Sequence, residues 1–387
     1  MTITKLSKQD KEYIIRMRRE FHMNPEESLK EYRTSKRIKE ELDKFGVPCE
    51  IIANTGVIGT IKGSKPGKTI ALRADIDALS VLENSNKDYI SKVPGIMHAC
   101  GHDAHAAMLL GAAKILNKIK NNIQGEVKLF FQPGEEVVRG ALKMIDEGAL
   151  EGVDSIFGLH VSSDLPSGTI CADPGPRCAS GDIFILKING SGGHGGRPDE
   201  CIDAVVVAAS IVMNLQTLVS REISPLEPAV LTVGSIISGT RHNVIASTAI
   251  LEGTIRCYSP EVRKYFSEGI ERISNCIAKA HRAKVEILYI VGVNSLINDL
   301  NCSNIAKNTG KNIVGEKNIL NKKPSTGGED FSEFSSRVPG VMVNLGVRNE
   351  QKNIVYPHHH EKFDIDEDAL EVGTAMYAQY ALDYLSQ

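Results

Sequence analysis

One short run holds an unusual density of donor atoms: His98-Ala99-Cys100-Gly101-His102-Asp103-Ala104-His105. Gln132-Pro133-Gly134-Glu135-Glu136 follows, then Gly158-Leu159-His160, and far downstream Pro357-His358-His359-His360. Thiolate, imidazole and carboxylate are the side chains that hold zinc-like divalent ions. The adjacent Glu135 and Glu136 offer one carboxylate to hold a metal and another to move protons. Together these residues point to metal-assisted hydrolysis.

Each part also has a plainer explanation. Cys100 and His102 are two apart and cannot share a helical face, so they belong on an irregular turn before a helix beginning near Asp103. A lone Cys-x-His is more often a buried thiol beside ordinary histidines, and His98 and His105 shift the balance toward metal. Cys100 as a nucleophile with His102 as its base is a further option, but it leaves the Glu pair and the remote histidines without a role. Most Glu-Glu pairs are solvated surface. This one follows a strand and a Pro-Gly turn, at the edge where open α/β sheets bind ligands. His160 also ends a strand, where the alternative is a hydrogen-bonded core histidine. The run from Gly63 to Thr69 is one residue short of a phosphate-binding loop and leads into a strand instead of a helix, which argues against ATP.

The elements that must position these residues alternate. Ser7 to Phe21 and Thr34 to Phe45 read as amphipathic helices, the second closed by Gly46. Val57 to Ile61, Thr69 to Ile76, Val127 to Phe131 and Ser155 to His160 read as strands. Asp103 is placed to N-cap a helix whose apolar stripe runs through Leu109, Ala112, Leu116 and Ile119. Strands separated by helices predict an α/β fold, a largely parallel central sheet flanked by helices. The pattern changes after the hinge candidate Pro174-Gly175-Pro176. Strand Ile183 to Ile188, helix Ala204 to Ser220, strands Val230 to Ile237 and Ala249 to Cys257, helix Pro260 to His281 and strand Lys284 to Val291 form a β-α-β-β-α-β unit, the ferredoxin-like order. Elements in the earlier style then resume, ending with a helix from Asp366 to Leu385. The expected organisation is a discontinuous catalytic domain, 1–181 and 295–387, interrupted by an inserted lid and dimerisation domain, 182–294.

The whole chain sets outer bounds. At 387 residues it exceeds one typical domain. Net charge is −3 with both signs mixed, which argues against nucleic acid or a membrane surface as partner. The start lacks an apolar signal core, and no run of about 18 apolar residues suggests a membrane span. Eight dispersed cysteines without a CxxC pair read as buried or ligand thiols, and a reducing cytoplasm fits them.

The motifs, in order, resemble the dinuclear metallo-aminoacylase and carboxypeptidase family, in particular the amidohydrolase branch of hippurate hydrolase, N-acetyldiaminopimelate deacetylase and the auxin-conjugate hydrolases. The segments are His22 to Glu26, Leu72 to Leu79, Met97 to His105, Gln132 to Glu136, Gly158 to His160, Gly192 to Gly195, Gly239 to Ile245, Gly328 to Phe331 and His359 to Leu370. The resemblance implies two divalent ions (zinc, manganese, cobalt or nickel) held by Cys100, His102, Glu136, His160 and His359. Cys100 stands where other branches have a bridging Asp. One ion would add Glu136 and His359, the other His102 and His160. Glu135 matches the general base and Asp77 an acid that supports the metal site. His194 matches a small-domain histidine that stabilises the oxyanion, often across a dimer interface. Asn243 and Arg256 are candidates for holding the substrate's carbonyl or carboxylate. Ser80 departs from the pattern, which usually has Pro there.

The implied reaction is hydrolysis of an N-acyl amino acid to a carboxylate and a free amino acid by a homodimer or higher oligomer. A dipeptidase or carboxypeptidase with the same metals is the neighbouring alternative. A non-catalytic metal- or peptide-binding protein is the alternative from another class, and the retained Glu135 speaks against it.

Overall fold

Near-continuous apolar runs such as Ile70-Ala71-Leu72, Val127 to Phe131 and Val341-Met342-Val343 mark strands that bury both faces. The computed structural model, which describes residues 2–387, assembles them into a seven-stranded sheet. Its order is Cys49–Ile52, Gly56–Lys62, Gln124–Gln132, Lys65–Asp75, Ser155–Pro166, Gly340–Arg348 and Ile170–Cys171. The four inner strands from Gln124–Gln132 to Gly340–Arg348 pair in parallel, and antiparallel strands finish each edge. Helices His102–Lys118 and Leu370–Leu385 are buried along most of their length and join the sheet in one core with Leu72, Phe157, Met108 and Tyr377. Parallel strands put their C-terminal ends on one edge, which is the edge that carries the acids and histidines.

Two compact units are present. The large one comprises the residues up to Arg177, Ile297–Lys323 and Asp330–Gln387, and the small one Cys178–Leu296 with Pro324–Glu329. The small unit has a four-stranded antiparallel sheet in the order Ala229–Ser238, Thr248–Cys257, Ser180–Asn189 and Lys284–Val293. Burial alternates along Ser180–Asn189, so one face packs on helices Ala204–Thr217 and Pro260–Ala280 through Phe184, Leu186, Ile211, Phe266 and Ile270.

Several sequence expectations are corrected. The helix expected over Ser7 to Phe21 is two helices, Ile3–Gln9 and Lys11–His22, broken at Asp10. Asp103 caps nothing. The helix starts at His102 behind Gly101, and the Asp103 carboxylate instead accepts from buried Arg18 and bonds His22. The strand carrying His160 runs on to Pro166. Pro324–Glu329, expected in the large unit, clusters with the small one because the Ser325 carbonyl accepts from the Ala179 N–H and the Tyr258 hydroxyl. One helix, Ala204–Glu222, is long and apolar enough by composition to cross a membrane. Its Ala204, Val207, Ile211, Leu215 and Leu218 side are buried in the small unit's core, while Ser210, Asn214 and Gln216 interrupt the apolar run.

Candidate metal centre

Strand ends and one helix start build this site. Lys65–Asp75 leads on to Asp77, and its parallel neighbour Gln124–Gln132 leads through Pro133 and Gly134 to Glu135 and Glu136. The turn into the His102–Lys118 helix depends on Gly101. Its φ of 92° is left-handed, and an added Cβ would lie 2.4 Å from Val161 Cγ2. Cys100 therefore stands just outside the helix and His102 is its first residue. His359 arrives on the C-terminal loop with a φ of 65°, and its N–H donates to the Ala99 carbonyl at 2.8 Å, tying that loop to the Cys100 turn.

The ligand atoms of Cys100, Glu136 and His359 lie within 4.8 Å of one another, as do those of His102, Glu135 and Glu136. Cys100 Sγ is also 3.6 Å from His160 Nε2. Glu136 Oε1 is 3.7 Å from His359 Nε2 and 3.9 Å from His102 Nε2, too far for hydrogen bonds. Buried His102 Nε2 and Glu136 Oε1 have no hydrogen-bond partner. Two lone-pair donors left bare are costly in a protein interior, and divalent cations bound at these atoms would remove that cost. The donor set fits such an ion.

Outer contacts fix which nitrogen each ring presents. His102 Nδ1 donates to the Asp77 carbonyl at 3.0 Å and faces Asp77 Oδ1 at 3.2 Å, leaving Nε2 bare toward Glu136. His160 Nδ1 donates to the Val161 carbonyl at 2.6 Å, leaving an unprotonated Nε2 to face Cys100 Sγ. Asp77 is itself held by the Ser28 hydroxyl at 2.6 Å and the Glu136 N–H at 3.1 Å. Partners of this kind set tautomer and ring orientation in metal sites. Burial pushes the Cys100 thiol well up and the Glu136 carboxyl up, while it drives His160 well below the usual imidazole range. Burial opposes protonation of His102 as well, but the charge of Asp75 and the hydrogen bond to Asp77 outweigh it and raise this ring.

Of the three C-terminal histidines, only His359 reaches Cys100 and Glu136. His358 Nε2 instead accepts from the Ser163 N–H at 3.3 Å, its ring packs on Phe363, and burial lowers its pKa to about 4. Glu135 is buried beside His102 and Glu136. In the small unit, His194 sits on the two-residue strand Gly193–His194, which pairs with Val244–Ile245, and the Gly195 N–H donates to the Asn243 carbonyl. His194 Nδ1 accepts from the Gly196 N–H at 3.0 Å, which leaves the proton on Nε2. Arg256 lies on a different sheet, opposite Gly181, whose missing Cβ makes room for the guanidinium. The sequence motifs assign no site role to Asp75 or His105, whose ligand atoms lie within 4.8 Å of those of His102 and His160. The available signal was the spacing of three between His102 and His105, which puts both on one helical face.

A model of peptidase family M20/M25/M40 matches residues 71–383 of the chain. The chain belongs to this family. It is thereby a metal-dependent hydrolase acting on amide bonds. Family relatives span nearly all of its length. Thermostable carboxypeptidase 2 of Saccharolobus solfataricus is 41% identical over 97% of this chain and 96% of that protein. N-acetylcysteine deacetylase of Bacillus subtilis is 39% identical over 95% of this chain and 96% of that protein. Among solved structures, the Bacillus subtilis YXEP protein, a dinuclear metal-binding peptidase of the M20 family, matches with a TM-score of 0.86 at 35% identity, covering 98% of this chain and 99% of that one.

Proposed function

We propose that this enzyme hydrolyses the amide bond of N-acyl amino acids, releasing the acyl carboxylate and the free amino acid. The observation that carries the reading is the bare pair His102 Nε2 and Glu136 Oε1 beside Cys100, His160, His359 and a buried Glu135. In this reading Cys100, Glu136 and His359 would hold one divalent ion and Cys100, His102 and His160 the other. Bound metals of this type lower the pKa of water toward neutrality and polarise a carbonyl. Glu135 takes the proton of the attacking water and returns it to the departing nitrogen. Asp77 and the Val161 carbonyl keep His102 and His160 in the ligating tautomer. His194 offers its Nε2–H to the developing oxyanion, and Asn243 and Arg256 hold the substrate's carbonyl or carboxylate.

The carboxypeptidase relative favours a second reading, peptide substrates cleaved at the last amide bond. Chemically the two meet, since an N-acyl amino acid and a peptide C-terminus present the same acyl-amide-carboxylate unit. A panel of N-acetyl and N-benzoyl amino acids, dipeptides and longer peptides, run with zinc, manganese, cobalt or nickel, separates them. Turnover of acyl amino acids that a chelator abolishes is expected, and chelator-resistant turnover would defeat the metal reading.

We further infer that the small unit is a mobile lid and the contact of a homodimer. Val205, Val206 and Met213 on its helix and Ile236 and Ile237 on its edge strand are exposed apolar side chains that such a contact would cover. Sedimentation at micromolar concentration should give a dimer, and a strict monomer would remove that part. The eight cysteines, all free thiols, support a reducing cytoplasm as its compartment.

A further inference from the structure

His105 follows His102 by three residues on the same helical face and is fully buried. Both of its ring nitrogens are engaged. The Val161 N–H donates to Nε2 at 2.9 Å, so Nδ1 carries the ring proton and donates it to Asp75 Oδ1 at 2.5 Å. No lone pair remains for a metal, although the ring lies among ligand-type atoms.

Its work follows from the sheet. The ladder between Lys65–Asp75 and Ser155–Pro166 stops at Arg73 opposite Gly158. Val161 lies three residues beyond that stop, still paired with Leu345 on its other side, and His105 Nε2 takes the N–H where Lys65–Asp75 no longer pairs. The carbonyl of this same residue accepts the His160 Nδ1 proton, and its Cγ2 fills the space that Gly101 leaves open. One residue thus sets both the His160 ring and the Cys100 turn. At the other end of the strut, Asp75 Oδ2 accepts from Arg73 Nη1 at 2.7 Å and lies 3.7 Å from the bare His102 Nε2. Arg73 is in turn held by Gln132 at 2.8 Å and Asp330 at 3.0 Å, so the carboxylate has no freedom to swing away.

We propose that Asp75 and His105 are a positioning pair of the metal centre. His105 is a neutral strut that fixes Val161 and through it His160, and Asp75 presents a buried negative charge to the cation held by His102 and His160. The inference rests on the ligand assignment above and adds a site-selective consequence. The ion served by His102 and His160 depends on the pair, and the ion at Glu136 and His359 does not.

Zinc or cobalt(II) titrated into metal-free full-length protein, read by calorimetry and elemental analysis, tests it. His105→Ala should weaken one of two binding steps by on the order of 10- to 100-fold, the usual cost of losing a ligand's supporting partner, and spare the other. His105→Gln, whose amide oxygen still accepts the Val161 N–H, should recover most of that loss. Asp75→Asn keeps an acceptor for His105 but removes the charge, and should weaken the same step. In metal-free wild-type protein labelled with 15N-histidine, the ring whose signals vanish in His105→Gln should show a protonated Nδ1 and an unprotonated Nε2, a tautomer it shares with His102 and His160. Two unchanged binding steps in Asp75→Asn would overturn the charge role, whether or not the His105→Ala variant folds. Equal weakening of both steps without rescue by Gln would make the pair merely structural and overturn the proposal. A His105 protonated on Nε2 would overturn the strut. Wild-type protein that binds no metal would instead sink the ligand assignment itself.

Discussion

Gly101→Ala is a one-carbon change at the point where the chain turns from Cys100 into the helix of His102. Two costs are readable from the geometry. A left-handed backbone costs a residue with a Cβ about 1–2 kcal/mol. The new carbon would also lie 2.4 Å from Val161 Cγ2, and overpacking of a filled interior costs about 1–3 kcal/mol. Together the penalty is about 2–5 kcal/mol. It divides between two observables. If the metal-free chain keeps its native turn, the whole penalty falls on folding stability. If the turn relaxes, Cys100 and His102 separate and the penalty falls on metal affinity, which then weakens roughly 30-fold to several thousand-fold at 1.4 kcal/mol per decade. Urea unfolding of the metal-free protein gives the first share, and zinc calorimetry on the same preparation gives the second. Their sum should reach about 2 kcal/mol or more. A variant in which both measurements stay within about 1 kcal/mol of wild type, the size of an ordinary substitution effect, would refute the claim that this glycine sets the site.

Glu135→Gln keeps the size of the side chain and removes its basicity, so turnover should fall by about a hundredfold or more while metal content holds. Activity within a few-fold of wild type would take the proton shuttle away from Glu135. Arg18 is fully buried against Asp103 at 2.9 Å, Asp364 at 2.9 Å and Glu367 at 3.3 Å. Arg18→Met would leave the buried Asp103 carboxylate short of its strongest partner and should cost about 3–5 kcal/mol in urea unfolding. A loss under about 1 kcal/mol would show that His22 alone suffices there. In the small unit, burial works against ionisation of Asp182, but the Arg263 guanidinium, the Gly292 N–H and the Tyr289 hydroxyl hold its pKa below the usual value. A depressed carboxyl stabilises the fold above the ordinary value of about 3.9, and that contribution is lost as pH falls through the folded value. Asp182→Asn should therefore be less stable than wild type at pH 6, with the gap closing toward acid. A gap that stays constant from pH 6 to acid would contradict the sign.

Much of this molecule follows from local pattern. Near-continuous apolar runs at Ile70 to Leu72 and Val127 to Phe131 announce doubly buried strands, and the β-α-β-β-α-β order after residue 180 announces the second sheet. Both depend on periodicity within a few residues, which is why they are readable before folding. The types and order of the donors, Cys100, His102, Glu135, Glu136 and His160, are likewise written in the chain and point to a metal-assisted hydrolase, while the amide bond entered only with the family resemblance. Other features depend on segments hundreds of residues apart. Asp103 looks like a helix cap from its neighbours, yet Arg18 and His22 claim its carboxylate. His358 and His359 are indistinguishable by type. The left-handed turn at His359 and its bond to the Ala99 carbonyl send one ring to Cys100 and Glu136, while the other packs on Phe363. Asp75 and His105 carry no mark of their joint role until the ladder to Lys65–Asp75 stops short of Val161 and leaves an N–H to be satisfied. Buried polar groups must find partners wherever the fold brings them, so sequence determined which chemistry was present, and tertiary structure decided which atoms face it.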